Sequence, residues 1–343
     1  MMETNKVRME MVATNKMNQT RRLIAALAVT ALTVVGHHGQ AQAQTWPQKP
    51  VTIILPFPPG GATDMLGREL GASMQKSLGQ TFVVDNRPGA TGTIGTGMVK
   101  RAAPDGYTLL VASLAPFVIS PHLVKNLPYD PRKDLDLLTV AVQAPNVLVV
   151  PAASPYKTVA DVIAALKKNP DKLTFSSSGN GASDHLTAVF FWQQTDTKGV
   201  HVPYKGGAPA IADLIGGQVD ASFQNVNAIL GHVESGKLRA LAVTGSARSQ
   251  VLPQVPTLDE AGVSGIDVYS WQGVAAPKGL APDLKQRIHA AIMAALRDPA
   301  VAEKFTRVGL EIVANTPEQF ATFQQKEFAR WKEVIEKGKI TAD

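Results

Sequence analysis

The 343-residue chain contains no cysteine, which excludes disulfide bonds, thiolate nucleophiles and thiolate metal sites. Its histidines fall in no HExxH or comparable spacing, so the sequence indicates neither a metal site nor a cofactor. A GxSxG nucleophile elbow is missing. GATGTIG, at 89–95, lacks the GxGxxG order and follows the second strand rather than the first, which argues against dinucleotide binding. Low-complexity segments and short-period repeats are absent. Long hydrophobic runs are missing too: LIAALAVTALTVV, at 23–35, falls short of the roughly 20 residues a membrane span needs.

That run follows Arg21 and Arg22 and precedes Ala41-Gln42-Ala43, the pattern of a secretory signal peptide cleaved after Ala43. Residues 1–43 are therefore expected to be removed and the rest to be exported to the periplasm. Met17 offers a second start, and the two arginines leave Sec and twin-arginine export both open. Removal takes five basic and two acidic residues and lowers the formal charge from +6 to +3. The remaining charge is scattered, without the clustered basic face that nucleic acid requires. About 300 residues are more than one core usually supports, so two domains are expected.

From residue 51 the chain alternates strand and helix: strands at 51–56, 81–85 and 107–112, helices at 64–78 and 94–102. A second block opens with NVLVVP at 146–151 and continues with a helix from Thr158, where Thr158 and Asp161 suggest a capping box. It runs on through strands at 173–176, 200–203, 219–223 and 238–244, with helices between. Three helical stretches near 282–297, 299–307 and 317–337 have no sheet of their own and are expected to return to the first block. This predicts an α/β protein of two lobes, each a mainly parallel sheet flanked by helices. Domain 1 would be 44–146 plus 268–343 and domain 2 147–267, joined by two crossing segments that permit hinge bending.

Two strand-to-helix turns carry the functional signal. In VTIILPFPPGGATDMLGREL, at 51–70, a strand runs into two glycines and a helix whose apolar stripe is Leu66, Leu70, Met74 and Leu78, with Thr63 or Asp64 as its cap. LTFSSSGNGASDHL, at 173–186, repeats the plan, with a helix from near Ser183. Helix starts with bare amides attract anions. Since ligands of open α/β sheets bind at the carboxyl ends of strands, both loops are expected to line one cleft. Asp64 is read as a helix cap and His185 as a packed residue. Adjacent Ser183, Asp184 and His185 cannot form a catalytic triad from one helix start. Trp271 either packs the crossing segment or floors the pocket.

PFPPGGATD, NRPGATGTIG, APDGYTLLVAS, FSSSGNGASDHL, VPYKGGAPAIADLIGGQVD, GKLRALAVTG and PQVPTLDEAGVSG, in this order, resemble the Bug receptors. These are periplasmic solute-binding proteins of the tripartite tricarboxylate transporter (TctC-like) type. The resemblance covers nearly the whole chain after residue 43. It implies a type II periplasmic-binding fold closing on a small organic carboxylate, with membrane permease subunits as partners in many members, and no enzymatic activity. The ligand-binding residues it implies are Phe57, Pro59, Gly60, Gly61, Ala62, Thr63 and Asp64 in the first loop, and Ser113 and Leu114 after the third strand. In the second half they are Ser177, Ser178, Gly179, Asn180, Gly181, Ala182 and Ser183, then Tyr204, Lys205, Gln224 and Asn225. Family members often carry Asp in place of Gln224, a Thr-His pair near SLAPF, and GAGG where this chain reads GATG. The identity of the acid is therefore left open. A monomer is expected. The rival readings are a ligand-sensing subunit of a membrane signalling protein and, with no nucleophile-base pair to support it, an enzyme on the same fold.

Overall fold

The computed structural model describes residues 46–341, so the expected signal peptide lies outside the described residues. The first half runs β1 (Val51–Leu55), α1 (Ala62–Leu78), β2 (Phe82–Asn86), α2 (Thr93–Lys100) and β3 (Thr108–Ser113), then a π-helical turn at Ala115–Ile119 and the short α3 (Ser120–Leu123). A 17-residue strand, β4 (Leu135–Pro151), leads into α4 (Val159–Lys168), β5 (Thr174–Ser177), α5 (Ser183–Thr195), β6 (Val200–Pro203), α6 (Gly207–Ile215), β7 (Ala221–Asn225), α7 (Val226–Glu234) and β8 (Leu238–Val243). The chain returns through β9 (Tyr269–Pro277), α8 (Pro282–Arg297), α9 (Pro299–Arg307), the two-residue β10 (Glu311–Ile312) and α10 (Pro317–Gly338).

Local chemistry explains most boundaries. Helix α1 buries Leu66, Leu70 and Met74 and stops at Gly79, whose φ of 71° is the left-handed conformation that glycine adopts without penalty. Helices α4 and α10 start with reciprocal capping boxes, Thr158 with Asp161 and Thr316 with Gln319.

The strands form one continuous path, β2-β1-β3-β9-β4-β7-β5-β6, with β8 and β10 also paired to β4. Side chains alternate between its two faces. Ile53, Leu55, Leu109, Val111, Val147 and Val149 pack with α1, α6, α7, α8 and α9. Ile54, Leu110, Ala112, Leu148 and Val150 face the other way, against α4, α5 and α10. Pairing is parallel within β1–β3 and within β5–β7, and antiparallel wherever β4 or β9 takes part. The sheet is therefore mixed, because β4, which runs from one half into the other, and β9, on which the chain returns, are antiparallel to each other and to their other neighbours.

Strand β4 is far longer than the 146–151 segment expected. Its first part, through Pro145, pairs with β9, and from Asn146 its partners become β7 and β8. Register shifts at Leu137/Thr139, Val140/Val142 and Leu148/Val149 bend it on the way. The change of partner is fastened by buried polar groups: the Asn146 N–H donates to Thr244 Oγ1 at 3.0 Å, and the Thr244 and Val268 amides donate to Asn146 O and Thr244 O. Trp271 is fully buried here, packed against Phe117, Phe320 and Phe323. It belongs to the core.

Candidate ligand-binding site

Strand register brings the two halves' loops towards one place. Ser113, at the carboxyl end of β3, pairs with Gln272, which pairs in turn with Val142 on β4. From the other half, Asn225 at the carboxyl end of β7 pairs with Asn146. Four residues of strand, about 13 Å, separate Val142 from Asn146.

In the first loop Gly60 has φ +97°, and Gly61 is the extended residue that opens α1, with no side-chain cap. Thr63 does not cap the helix. Asp64 fastens the loop instead: its carboxylate accepts from the Gly60 amide at 3.1 Å, from Arg68 Nε at 3.0 Å and from Asn86 Nδ2 at 3.1 Å. Asn86 also donates to the Phe57 carbonyl at 3.1 Å. Burial alone would raise the Asp64 pKa, but the bonds from Arg68, Gly60 and Asn86 hold it below its ordinary value. The acidic residue at this helix start is thus neutralised from behind. The amides of Gly61, Ala62 and Thr63, at the first turn, have no acceptor among the described residues. A Cβ on Gly60 or Gly61 would meet nothing within 4 Å, so the backbone here borders open space. Pro59 is exposed on the same loop, and Phe57 is half-buried with its ring against Gly92.

The second loop differs. Ser178 donates its amide and its hydroxyl to Asp184 Oδ2, at 2.7 and 2.6 Å. The Gly179 amide donates to Ser177 Oγ, the Gly181 amide to His185 Nδ1, and the Ala182 amide to the Gly179 carbonyl. Gln224, also buried, donates its amide to Asp184 Oδ2 at 3.3 Å and to Ser222 Oγ at 2.9 Å. Asn225 donates to Asn146 Oδ1. Among the described residues the half-buried Ser183, first residue of α5, has no acceptor for its amide and no partner for its hydroxyl. Asp184 is pushed up to about 6 by burial, against the bonds it accepts from Ser178 and His185.

Beneath this loop the rings of His185 and His201 stack at 3.6 Å and 5°. Burial depresses both, to about 3 for His185, where His201 adds to the effect, and to about 4 for His201. Ser177 Oγ lies 2.6 Å from His201 Nε2, yet Ser177 is buried and its hydroxyl also contacts the Gly179 carbonyl. Sequence reasoning missed this pair, which depends on residues 24 apart.

The remaining expected residues are distributed unevenly. Ser113 and Leu114 sit at the carboxyl end of β3, half-buried and buried. The Tyr204 hydroxyl bonds to Asp213 at 2.7 Å, and Lys205 is exposed, without an ion pair among the described residues. Asn86 and Asp184, which fasten the two loops, were not expected as site residues. Their side-chain partners are set by the meeting of strand ends rather than by a local pattern.

An open hollow of about 720 Å³ lies elsewhere on the second half, lined by residues that include Lys157, Thr158, Leu238, Leu241, Val255 and Pro256 and by none of those above. It offers an anion little. The α4 start is already capped, and Arg239 spends its guanidinium on the carbonyls of Ala152, Ser154 and Tyr156. Among the described residues no group of three or more His, Asp or Glu side chains forms a metal site, and no helix is long and apolar enough to cross a membrane.

Comparison with known proteins places these features in a family. Residues 66–340 match the family described as the tripartite tricarboxylate transporter family receptor. BugT of Bordetella pertussis is 38% identical over 320 residues, covering 93% of this chain and 98% of BugT. The solved structure of R. palustris Rpa4515 with adipate is 33% identical with a TM-score of 0.81, covering 86% of this chain and 99% of that one. MatC from Rhodopseudomonas palustris, with bound malate, is 30% identical with a TM-score of 0.78, covering 84% and 100%.

Proposed function

The chain belongs to the tripartite tricarboxylate transporter receptor family, and from that premise we propose that it is a periplasmic solute-binding protein that captures a small organic carboxylate. The observation that carries this reading is the first loop: three adjacent amides, of Gly61, Ala62 and Thr63, at the positive end of a 17-residue helix, without acceptors among the described residues and next to glycines that border open space. Each charge-assisted hydrogen bond to a carboxylate contributes about 1.5 to 3 kcal/mol, and the helix dipole about 0.3 to 1 kcal/mol more. No dedicated cation is needed. Arg68, the cation of this loop, is already paired with Asp64.

The two halves act as lobes, 44–146 with 268–343 and 147–267, that close by bending where β4 changes partner at Pro145 and Asn146 and where the chain returns through Thr244 and Val268. The first loop holds the carboxylate. Ser183 reaches it from the second lobe, Phe57, Pro59, Ser113 and Leu114 shape the near wall, and Ser177 to Ala182 form a braced rim. Gln224, Asn225, Tyr204 and Lys205 act at the margin, where they bias which acid fits. The closed monomer is the form that permease subunits receive, and it performs no catalysis. Because amides recognise the carboxylate and not the rest of the molecule, adipate and malate, bound by relatives, are both suitable probes.

A thermal-shift screen of adipate, malate, citrate and benzoate against neutral analogues, preceded by native mass spectrometry to find carried-over ligand, tests this. Stabilisation by one or more acids and not by the matching neutral amides is expected. Stabilisation by neutral compounds alone would overturn it.

A further inference from the structure

Four consecutive residues on the first lobe, Gly89, Ala90, Thr91 and Gly92, have φ values of +137°, +43°, +53° and +87°. For a β-branched residue this is a strained conformation, retained only where the surroundings over-determine it. The surroundings do so here. A Cβ on Gly89 would lie 2.5 Å from Ile94 Cδ1, and one on Gly92 would lie 2.8 Å from Pro116 Cγ and 2.9 Å from Phe57 Cζ. Gly92 is closely packed between Pro116 and Phe57, Gly89 borders the exposed Ile94 side chain, and the turn between them presents the Thr91 hydroxyl to the second half. Its hydroxyl donates to the carbonyl of Asn180, 89 residues away on the second-lobe loop, at 3.3 Å. Next to that carbonyl, Gly181 rests against Leu123 of the first lobe, where an added Cβ would come within 2.5 Å of Leu123 Cδ1.

We propose that Thr91 is a cross-lobe latch, a positioning residue whose bond to the Asn180 carbonyl favours the closed arrangement and so sets how long a ligand is held. This rests on the two-lobe closure proposed above. The bond joins the wall of the first-lobe loop, through Phe57 and Gly92, to the loop that precedes Ser183, so the contact that holds the lobes together adjoins the loops proposed to seat the ligand. The strained turn keeps the hydroxyl aimed before closure, which reduces the ordering cost of making the bond.

Since the chain has no native cysteine, Lys76→Cys on α1 and Lys168→Cys on α4, both at exposed positions, permit spin labelling of the two lobes and measurement of the distance between them. Thr91→Val keeps the β-branched shape and removes the donor, whereas Thr91→Ser keeps the donor. Without ligand, Thr91→Val is expected to lower the ratio of short to long distances about two- to tenfold, the range for one lost hydrogen bond, with Thr91→Ser within about twofold of the parent. With adipate, Thr91→Val is expected to release it faster at a similar association rate. Identical ligand-free distance distributions for Thr91→Val and the parent would overturn the latch. If adipate shifts none of the variants, the use of adipate fails, and the ligand-free comparison still decides the latch.

Discussion

The carboxylate of Asp184 receives both the amide and the hydroxyl of Ser178, at 2.7 and 2.6 Å, so neither donor of Ser178 remains for a bound anion. A loop that reads in the sequence as a row of ligand-facing serines is in the structure a braced rim. This asymmetry between the two loops shapes the predictions.

Gly61→Val has room for its side chain within the protein but places two methyl groups over the α1 amides. Binding of adipate or malate should weaken by about 100-fold or more, equivalent to losing one or two charge-assisted hydrogen bonds, while the thermal midpoint of the free protein changes little. Calorimetric titration beside a melting curve checks both, and unchanged affinity would remove the first loop from the site.

Ser178→Ala and Ser183→Ala should separate cleanly. The first deprives the buried Asp184 of a donor and is expected to destabilise by roughly 1 to 3 kcal/mol with a small effect on affinity. The second should leave stability unchanged and weaken acid binding about three- to tenfold. Urea unfolding and titration of the same two variants decide between them, and reversed outcomes would place Ser178 against the ligand.

Acidification should destabilise the protein between pH 6.5 and 4.5. His185 and His201 have folded pKa values below the ordinary 6.5, so their contribution is complete above 6.5 and is lost as pH falls towards about 4 and 3. Each costs on the order of 1 kcal/mol per pH unit in that window. Asp184 works in the opposite sense: its pKa is raised from 3.8 to about 6, so its contribution is complete below 3.8 and is lost as pH rises through about 6. Two histidines outweigh one carboxyl. Melting midpoints from pH 7.5 to 4.5 should fall, and His201→Gln should flatten the slope; a profile unchanged by that substitution would count against the buried pair as its source.

Glu327→Ala should be the most damaging of these changes. Its carboxylate, on the buried face of α10, accepts from Trp271 Nε1 at 3.2 Å and Trp331 Nε1 at 3.1 Å and pairs with Arg330 at 2.6 Å. Removing it strands two buried indole N–H groups, while Arg330 keeps its bond to the Asp267 carbonyl, at a cost of about 2 to 5 kcal/mol, measurable by urea unfolding. Glu327→Gln, which keeps an acceptor, should cost less.

Much of the architecture was legible in local patterns. The α1 stripe, the Thr158–Asp161 box and the helices at 282–297 and 299–307 follow from spacing, caps and proline, all of which act over a few residues. Residues 135–145 carry no strand signal in the sequence. They are buried almost throughout and lack the apolar-polar alternation that marks a half-exposed strand, and Pro145 reads as a break although the chain runs straight through it. The candidate site divided in the same way. The glycine turn of the first loop announced itself, whereas the engagement of Ser177 with His201, of Tyr204 with Asp213 and of Thr91 with Asn180 joins residues 9 to 89 apart.

By itself the sequence determined the α/β class, the two glycine-bearing helix starts and the family, because periodicity, capping and motif order are properties of neighbouring residues. Only the tertiary structure decided which amides stay available. That choice depends on which acceptors the fold supplies: Asp64, clamped by Asn86 and Arg68, leaves the first turn of α1 open, while Asp184 and His185 consume the donors of Ser178 and the amide of Gly181 in the second loop. A buried polar group must find a partner wherever the fold supplies one, and that partner is fixed by packing rather than by distance along the chain.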